Sequence, residues 1–107
     1  MPTEWPTVRN EPDKLSALPY SSNAAYLMEP FVSRDIDTNT LNVITLDAYA
    51  EFRHKDVAPL VEIGDGHWIL ELFHGPTLSF KDFALQVLGR LFDHVLERKG
   101  ERLTIVG

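Results

Sequence analysis

The strongest constraint on how this chain folds is a long amphipathic helix in its second half. We expect the helix to open with Ser79 as its N-cap and Asp82 three residues later, the Ser-x-x-Asp form of a capping box. It should end at Arg98-Lys99, because cations in the last turn and a following glycine, Gly100, favour a helix C-terminus. Its apolar side chains cover about 220° of the helical wheel, whereas a stripe of ~100° suffices for one core. Such a helix is normally packed on two sides.

Lys81 is placed unusually in this helix. It lies in the first turn and projects about 60° from the apolar line, toward Leu85, Leu88 and Phe92. Desolvation and the helix dipole both disfavour the charged form of an amine at that point, which predicts a lysine that can attack a carbonyl. The alternative is a lysine that lays its stem along the helix and leaves the ammonium in water, and spacing alone favours this alternative.

The first part of the chain is predicted to be an arm followed by a helix. Residues 1–19 carry four of the seven prolines, so we expect an extended arm with at most a helical turn around Asp13 to Leu18. Residues 20–58 are expected to be mainly helical. Within them, Ser21-Ser22 can cap a short helix that Pro30 should close.

A second helix is predicted to start at Asp37 or Thr38 and to reach Arg53. Four apolar residues have the spacing of one helical face: Leu41, Ile44, Ala48 and Phe52. Residues Leu41–Leu46 are rich in β-branched side chains, however, and a strand there remains an alternative.

Residues 59–107 are predicted to begin with a β-hairpin. Leu60–Ile63 and His67–Phe73 read as strands, and the three residues Gly64-Asp65-Gly66 form a connection suited to a hairpin. The second strand leads into a turn at His74-Gly75-Pro76.

A buried strand is predicted after the long helix, at Leu103–Val106. Together with the second strand of the hairpin, it would give the strand–helix–strand order of an α/β crossover unit. The predicted fold class is therefore α/β.

Composition excludes several classes of protein. With 44% hydrophobic residues the chain can bury a core, and ten Lys+Arg against sixteen Asp+Glu give a net charge of −6. This charge argues against a partner that is nucleic acid or an anionic membrane. No window approaches the ~18 apolar residues of a membrane span, and the absence of cysteine fits a reducing compartment, so we expect a soluble cytoplasmic protein. The four histidines lack metal-ligand spacing, so no metal site is expected.

The segment Glu71–Gln86, ELFHGPTLSFKDFALQ, resembles the pyridoxal-phosphate lysine segment of threonine synthase in its long bacterial and fungal form. In that family a His-Gly-Pro-Thr-Leu turn leads into Phe-Lys-Asp. The resemblance covers nearly the whole chain, since the segments at residues 19–31, 57–60 and 103–107 stand in the same order. Ser79 departs from the alanine that the family often has.

The resemblance implies a fragment of a tryptophan-synthase-β-like (fold type II) enzyme, with a helical N-terminal part, a β-hairpin, a long helix and a closing strand. The family's reaction converts O-phospho-L-homoserine and water to L-threonine and phosphate, and the enzyme is a carbon–oxygen lyase acting on phosphate. Lys81 would be both the catalytic residue and the residue that binds pyridoxal 5'-phosphate. The family's residues for the cofactor phosphate and pyridine nitrogen lie beyond Gly107, so we expect the 107-residue stretch alone to be an inactive N-terminal fragment.

Three further residues could shape such a site. His74 resembles the family's histidine before the lysine, and hydrogen bonding that orients the turn is favoured for it over proton transfer. Thr77 and Ser79 could lie near substrate or cofactor, although capping of the helix explains both without a function.

Two other functions remain open. A threonine-synthase-like phospholyase shares the lysine segment but eliminates phosphate from a phospho-amino acid without forming threonine. A non-catalytic fragment would instead dock its apolar surface on a partner. The oligomeric state is left open by the sequence.

Overall fold

The structure is a computed structural model, and it describes residues 16–104. The elements in this part of the chain are, in order, α1 (Tyr20–Val32), α2 (Thr38–Ala50), β1 (Leu60–Gly64), β2 (His67–Leu70) and α3 (Asp82–Lys99). The chain divides into two compact units, Met1–Asp47 and Ala48–Gly107. The first half of the helical turn expected around Asp13 to Leu18, residues 13–15, lies outside the described residues.

Helix α1 begins earlier and ends later than its sequence predicts. The N-cap is Pro19, which contributes no side-chain hydrogen bond, so the expected capping by Ser21-Ser22 is wrong. The expectation that Pro30 closes the helix is also wrong, since Pro30 lies inside the last turn. A proline removes one backbone donor from a helix, but the amide of Ser33 still donates to the carbonyl of Glu29 at 2.9 Å and completes the turn.

Helix α2 is capped by Asp37, one of the two residues expected for this role. The carboxylate of Asp37 accepts two hydrogen bonds from Thr40, one from its backbone N–H at 2.8 Å and one from its side-chain hydroxyl at 3.0 Å. The helix ends at Ala50, so its predicted extension to Arg53 is wrong. The amide of Arg53 donates instead to the carbonyl of His74 at 2.8 Å, which takes it out of the helical hydrogen-bond ladder.

The predicted apolar face is confirmed for the part that α2 spans. Leu41, Ile44 and Ala48 are buried, with relative exposures of 7% or less. Phe52 is also buried but lies two residues beyond the end of α2. A strand at Leu41–Leu46 is therefore wrong. Burial at helical spacing outweighs the β propensity of the individual residues, because packing contributes more than local preference does.

The hairpin is confirmed, with a shorter connection than expected. Strands β1 and β2 pair antiparallel, with Leu60 opposite Leu70 and Gly64 opposite His67. Gly64 belongs to β1, so only Asp65-Gly66 connects the strands. Gly66 has a φ of 74°, a left-handed conformation that glycine adopts without a steric penalty.

Strand β2 ends at Leu70, so its predicted continuation to Phe73 is wrong. The amide of Glu71 still donates to the carbonyl of Pro59 at 2.9 Å. Pro59 has no N–H with which to continue the ladder, and the residues that follow Leu70 leave the sheet.

Three aromatic rings attach the start of α3 to the residues at the end of α2. The rings of Phe52 and Phe83 are 5.0 Å apart and those of Tyr49 and Phe52 are 5.4 Å apart, both edge-to-face. The Tyr49 hydroxyl donates to the carbonyl of Phe83 at 2.8 Å. The second residue of α3 is thereby held by packing and by a directional bond.

The C-terminus of α3 is as predicted. Gly100 has a φ of 66°, and its amide donates to carbonyls in the last turn. Leu103 and Thr104 form no strand, and the rest of the strand expected at Leu103–Val106 lies outside the described residues. Among the helices of the described part, none is long and apolar enough to cross a membrane.

Replacement of Tyr49 by phenylalanine tests the bond to α3. We expect Tyr49→Phe to lower the free energy of unfolding by about 0.5–1.5 kcal/mol, because a half-buried hydrogen bond is lost while the ring packing is kept. Urea unfolding of the full-length protein measures the change. Tyr26→Phe, on the exposed surface of α1, is the control and should have little effect. Equal midpoints for Tyr49→Phe and the wild type would contradict the assignment.

Candidate active site

Lys81 immediately precedes the first residue of α3. Its backbone is already helical, with φ −60° and ψ −24°, and its carbonyl accepts the amides of Ala84 and Leu85 at 3.2 and 2.9 Å. The side chain is exposed and forms no hydrogen bond or ion pair with another described residue. The amine is therefore accessible, while the backbone that carries it is fixed.

The apolar side chains expected beside this amine are not covered by other described residues. Leu85 and Leu88 are 50% and 39% exposed, and Phe92 is only half-buried. Val87 is the one fully buried apolar residue of α3 within this part of the chain. The helical period identifies which face is apolar, but it carries no information about what covers that face.

The carboxylate of Asp82 is the most buried charged group among the described residues, with a relative exposure of 1%. Its Oδ2 accepts the backbone N–H of Thr77 at 2.9 Å and the hydroxyl of Thr77 at 2.8 Å. Its Oδ1 accepts the side-chain amide of Gln86 at 3.2 Å. Both oxygens are thus occupied, as a buried carboxylate requires.

The hydrogen bonds determine the direction of the Asp82 pKa shift. Burial acts to raise the pKa of Asp82, whereas hydrogen bonds from the side chain and backbone of Thr77, from Gln86 and from the backbone of Ser79 lower it. The hydrogen bonds outweigh burial, and the pKa lies below its ordinary value. Asp82 is therefore a buried anion at neutral pH.

The start of α3 differs from the expected capping box. The residue at the N-cap position is Lys81, so the assignment of Ser79 as N-cap is wrong. The hydroxyl of Ser79 accepts the amide of Lys81 at 3.2 Å, and a tight turn joins the carbonyl of Ser79 to the amide of Asp82 at 3.0 Å. This tight turn delays the start of the regular helix, and Asp82 is held chiefly by Thr77.

The turn before the lysine is closely packed and strained. A Cβ atom added to Gly75 would overlap Cβ and Oδ2 of Asp82, so no larger residue fits without movement. The amide of Leu78 donates to the carbonyl of Gly75 at 3.1 Å, and Leu78 has a φ of 65°. A left-handed conformation is unfavourable for leucine and persists only where its surroundings impose it.

His74 is held by residues that precede the turn in the sequence. Its Nε2 lies 2.9 Å from Oε1 of Glu71, with both side chains largely buried, and its carbonyl accepts the amide of Arg53. The ring also lies 5.0 Å from that of His54 and 4.5 Å from that of Phe73. These contacts suit the role of orienting the turn; a role for His74 in the reaction stays a prediction.

Thr77 and Ser79 lie in the turn that leads into Lys81, and whether they approach substrate or cofactor stays a prediction. The structure adds two contributors that the sequence did not reveal as partners, Gly75 and Gln86, both through Asp82. Across the described residues, no three His, Cys, Asp or Glu side chains are arranged to hold a metal ion.

Addition of one methyl group to Gly75 tests the close packing of the turn. We expect Gly75→Ala to lower the free energy of unfolding by roughly 1–3 kcal/mol, because the new Cβ overlaps Asp82 and the backbone has to move. Gly89→Ala, within α3, is the matched control. A Cβ at Gly89 meets nothing within 4 Å, and alanine favours a helix, so this variant should be neutral or more stable. Similar unfolding midpoints for the two variants would contradict the packing.

The lowered pKa of Asp82 predicts how stability depends on pH. A carboxyl group whose pKa is lower in the folded protein than in the unfolded chain stabilises the folded protein. This stabilisation is fully present above the pKa of the unfolded chain, near 3.8, and is lost as the pH falls through the pKa of the folded protein. We therefore expect the stability difference between wild type and Asp82→Asn to be largest at neutral pH and to shrink below pH 3.8. Unfolding curves of the full-length protein measure it, and a difference that does not vary with pH would contradict the assignment.

Comparison with known proteins gives consistent matches in sequence and in structure. The chain is 52% identical over 90 residues to threonine synthase of Pseudomonas aeruginosa, a match that covers 84% of this chain and 19% of the relative. It is 37% identical over 108 residues to threonine synthase-like 2 of Rattus norvegicus, which covers 99% of this chain and 22% of the relative. No protein-family model matches.

A solved structure also matches this chain. The PLP-bound threonine synthase of Brucella melitensis superposes with a TM-score of 0.83 at 39% identity, over 95% of this chain and 22% of that one. The mixed helices and small antiparallel sheet described above are consistent with part of a fold type II enzyme, as expected. The chain spans about a fifth of the length of these relatives. In sequence and in structure, the chain belongs to the threonine synthase family.

Proposed function

We propose that the full-length protein is a threonine synthase, which converts O-phospho-L-homoserine and water to L-threonine and phosphate, with pyridoxal 5'-phosphate bound through Lys81. The observation that carries the proposal is an accessible amine on a fixed backbone, at the start of a helix and directly after a strained turn. A lysine of this kind suits a covalent link to a carbonyl cofactor.

The sequence match supports the choice of this lysine. The match to the Pseudomonas enzyme covers 90 of the 107 residues, which leaves 107 − 90 = 17 outside it. Wherever the match begins, it therefore includes residues 18–90 and with them Lys81. The solved relative whose description names bound PLP is matched over 95% of this chain.

The residues present fit the proposed cofactor at its point of attachment. The Lys81 amine is exposed and has no acidic partner among the described residues. Asp82, the adjacent acid, directs both of its oxygens to Thr77 and Gln86. The nearest carboxylate in the sequence therefore does not compete for the lysine.

The reaction assigns two tasks to Lys81. The Nζ atom of Lys81 would hold the cofactor covalently at its aldehyde carbon. When substrate occupies the site, the free amine of Lys81 would remove the proton from the substrate α-carbon and return protons to neighbouring carbons. Pyridoxal phosphate, when bound, supplies a ring that accepts the electrons left behind by this proton.

The other residues of the turn orient the lysine. His74 anchors the turn through Glu71 and through the amide of Arg53. Ser79 accepts the amide of Lys81 and so fixes the peptide that carries the reacting side chain. Placement of a reacting group before the substrate arrives lowers the entropic part of the barrier.

A phospholyase that releases phosphate without forming threonine is the second candidate. It is supported by the 37% identity to threonine synthase-like 2 over 99% of this chain. The 52% identity to the Pseudomonas threonine synthase favours the first candidate. Phosphate release is common to both, so identification of the organic product from phosphohomoserine by mass spectrometry distinguishes them.

We also propose that the substrate is a small molecule and that the enzyme works in the cytoplasm. The net charge of −6 opposes nucleic acid as a partner. A chain without cysteine is consistent with a reducing compartment.

Lys81→Arg in the full-length protein tests the proposed role. Arginine keeps the charge and nearly the length but cannot form the covalent link, so we expect the visible absorbance of the bound cofactor to vanish and turnover to fall by several orders of magnitude, on the order of 10³ or more. Lys99→Arg, at the exposed end of α3, is the control and should change neither. A lysine that only extends into solvent would tolerate arginine, and wild-type turnover in Lys81→Arg would exclude the proposal.

Chemical trapping gives an independent result. Reduction of the cofactor-loaded protein with borohydride fixes the cofactor to the lysine that holds it. After digestion, peptide mapping should locate the adduct on the peptide that contains Lys81. An adduct on Lys55 or Lys99 would assign the cofactor to a different site.

A further inference from the structure

We propose that Asp82 is the positioning residue of this site: it locks the turn formed by residues 75–79 onto the start of α3 and thereby fixes where the Lys81 amine meets a carbonyl cofactor. The inference rests on the proposed function of Lys81. It assigns to Asp82 a role that works through Thr77 and needs no contact with cofactor or substrate.

The first argument is the way in which the hydrogen bonds converge. Asp82 is adjacent to Lys81, is 1% exposed, and binds the backbone and the hydroxyl of Thr77 through a single oxygen. Its other oxygen binds Gln86, one turn along α3. The carboxylate thus joins the turn to the helix across the lysine, and its burial separates it from solvent.

The second argument is that the turn needs such a restraint. Leu78 has a φ of 65°, which is unfavourable for a residue with a side chain, and its side chain is 55% exposed. Packing of that side chain therefore contributes little to holding the conformation. The contacts that hold it are the bond from the Leu78 amide to the carbonyl of Gly75, the hydrogen bonds from the adjacent Thr77 to Asp82, and the close approach of Gly75 to Asp82.

The third argument is that Lys81 is restrained on both sides. The chain before it is tied by Thr77 to Asp82, and the chain after it is tied by the hydroxyl of Tyr49 to the carbonyl of Phe83. The exposed lysine side chain itself receives no such restraint from described residues. The position of its amine therefore depends on the backbone. These two contacts hold that backbone together with the Ser79 hydroxyl and the first hydrogen bonds of the helix.

The proposed role is acceptance of hydrogen bonds, which distinguishes it from proton transfer. In Asp82→Asn the amide oxygen can still accept both donors of Thr77. The contact with Gln86 is lost, because Arg90, 3.3 Å from Oε1 of Gln86, already orients that side chain. In Asp82→Ala the contacts with Thr77, with Gln86 and with the backbone of Ser79 are all lost. Asparagine should therefore preserve the position of the lysine, whereas a group that exchanges protons could not be replaced by asparagine.

The experiment uses the full-length protein freed of cofactor. Pyridoxal phosphate is titrated back while the visible absorbance is recorded, for wild type, Asp82→Asn, Asp82→Ala and Asp93→Ala, an exposed acid on the same helix. Hydrogen exchange of the peptide spanning residues 75–80 is measured on the same proteins without cofactor. Exchange reports whether the turn has opened locally, apart from any catalytic effect.

We expect Asp82→Ala to weaken cofactor binding by roughly 10–100-fold, because hydrogen bonds to a charged group are lost, and to accelerate exchange in the turn by a similar factor. Asp82→Asn should remain within about threefold of wild type in cofactor binding, since the Thr77 contacts persist. Asp93→Ala should match wild type. Loss of binding in Asp82→Asn equal to that in Asp82→Ala, or wild-type binding in Asp82→Ala, would overturn the proposal.

A second pair of variants covers the case in which Asp82→Ala does not fold. Thr77→Val keeps the shape of the side chain but removes the hydroxyl that donates to Asp82, whereas Thr77→Ser keeps the hydroxyl. Thr77→Val should accelerate exchange in the turn and weaken cofactor binding, and Thr77→Ser should restore both. Equal behaviour of the two would overturn the proposal. If wild type itself attaches no cofactor at Lys81, the proposed function fails, while the exchange data still report whether Asp82 holds the turn.

Discussion

The geometry around Lys81 depends on the buried carboxylate of Asp82. Removal of a charge from water is costly unless hydrogen bonds replace the lost hydration, and here Thr77 and Gln86 supply them. The same bonds tie a strained turn to the first turn of α3. Because Gly75 approaches this carboxylate so closely that no Cβ fits, the turn and the helix form one closely packed element.

A fixed backbone with an accessible amine is the combination that covalent catalysis needs. The lysine has to stay in place while its side chain moves between cofactor and substrate, so the restraints belong on the backbone and on neighbouring residues. Asp82 and Tyr49 provide such restraints on either side of Lys81. His74 adds a third through its contacts with Glu71 and Arg53. Leu85 and Leu88 of α3 are exposed, so no other described residue covers the apolar face of this helix there.

The parts of the fold that could be predicted are those governed by local patterns. Helical spacing located the buried face of α2, and a glycine after two cations located the end of α3. Two of the errors, at the ends of α2 and β2, arose where a distant partner decides. The amide of Arg53 leaves α2 because the carbonyl of His74 offers another acceptor, and Pro59 ends a sheet that the strand pattern would have extended.

The candidate site was predictable in its residues and less so in its interactions. The lysine segment itself indicated Lys81, His74, Thr77 and Ser79, whereas Asp82 looked like an ordinary capping acid. Asp82 is buried because Thr77, five residues earlier, folds back onto it. Leu78 makes this possible by adopting a left-handed conformation, which conformational preferences do not predict for leucine. Helical periodicity also predicted a desolvated apolar surface beside Lys81, whereas Leu85 and Leu88 are exposed.

The most direct test of the account is a crystal structure of the full-length protein grown with pyridoxal phosphate. We predict continuous electron density from Nζ of Lys81 to the aldehyde carbon of the cofactor, with Oδ2 of Asp82 within hydrogen-bond distance of both donors of Thr77. A cofactor joined to another lysine would contradict the central claim. So would a cofactor bound without a link to Lys81.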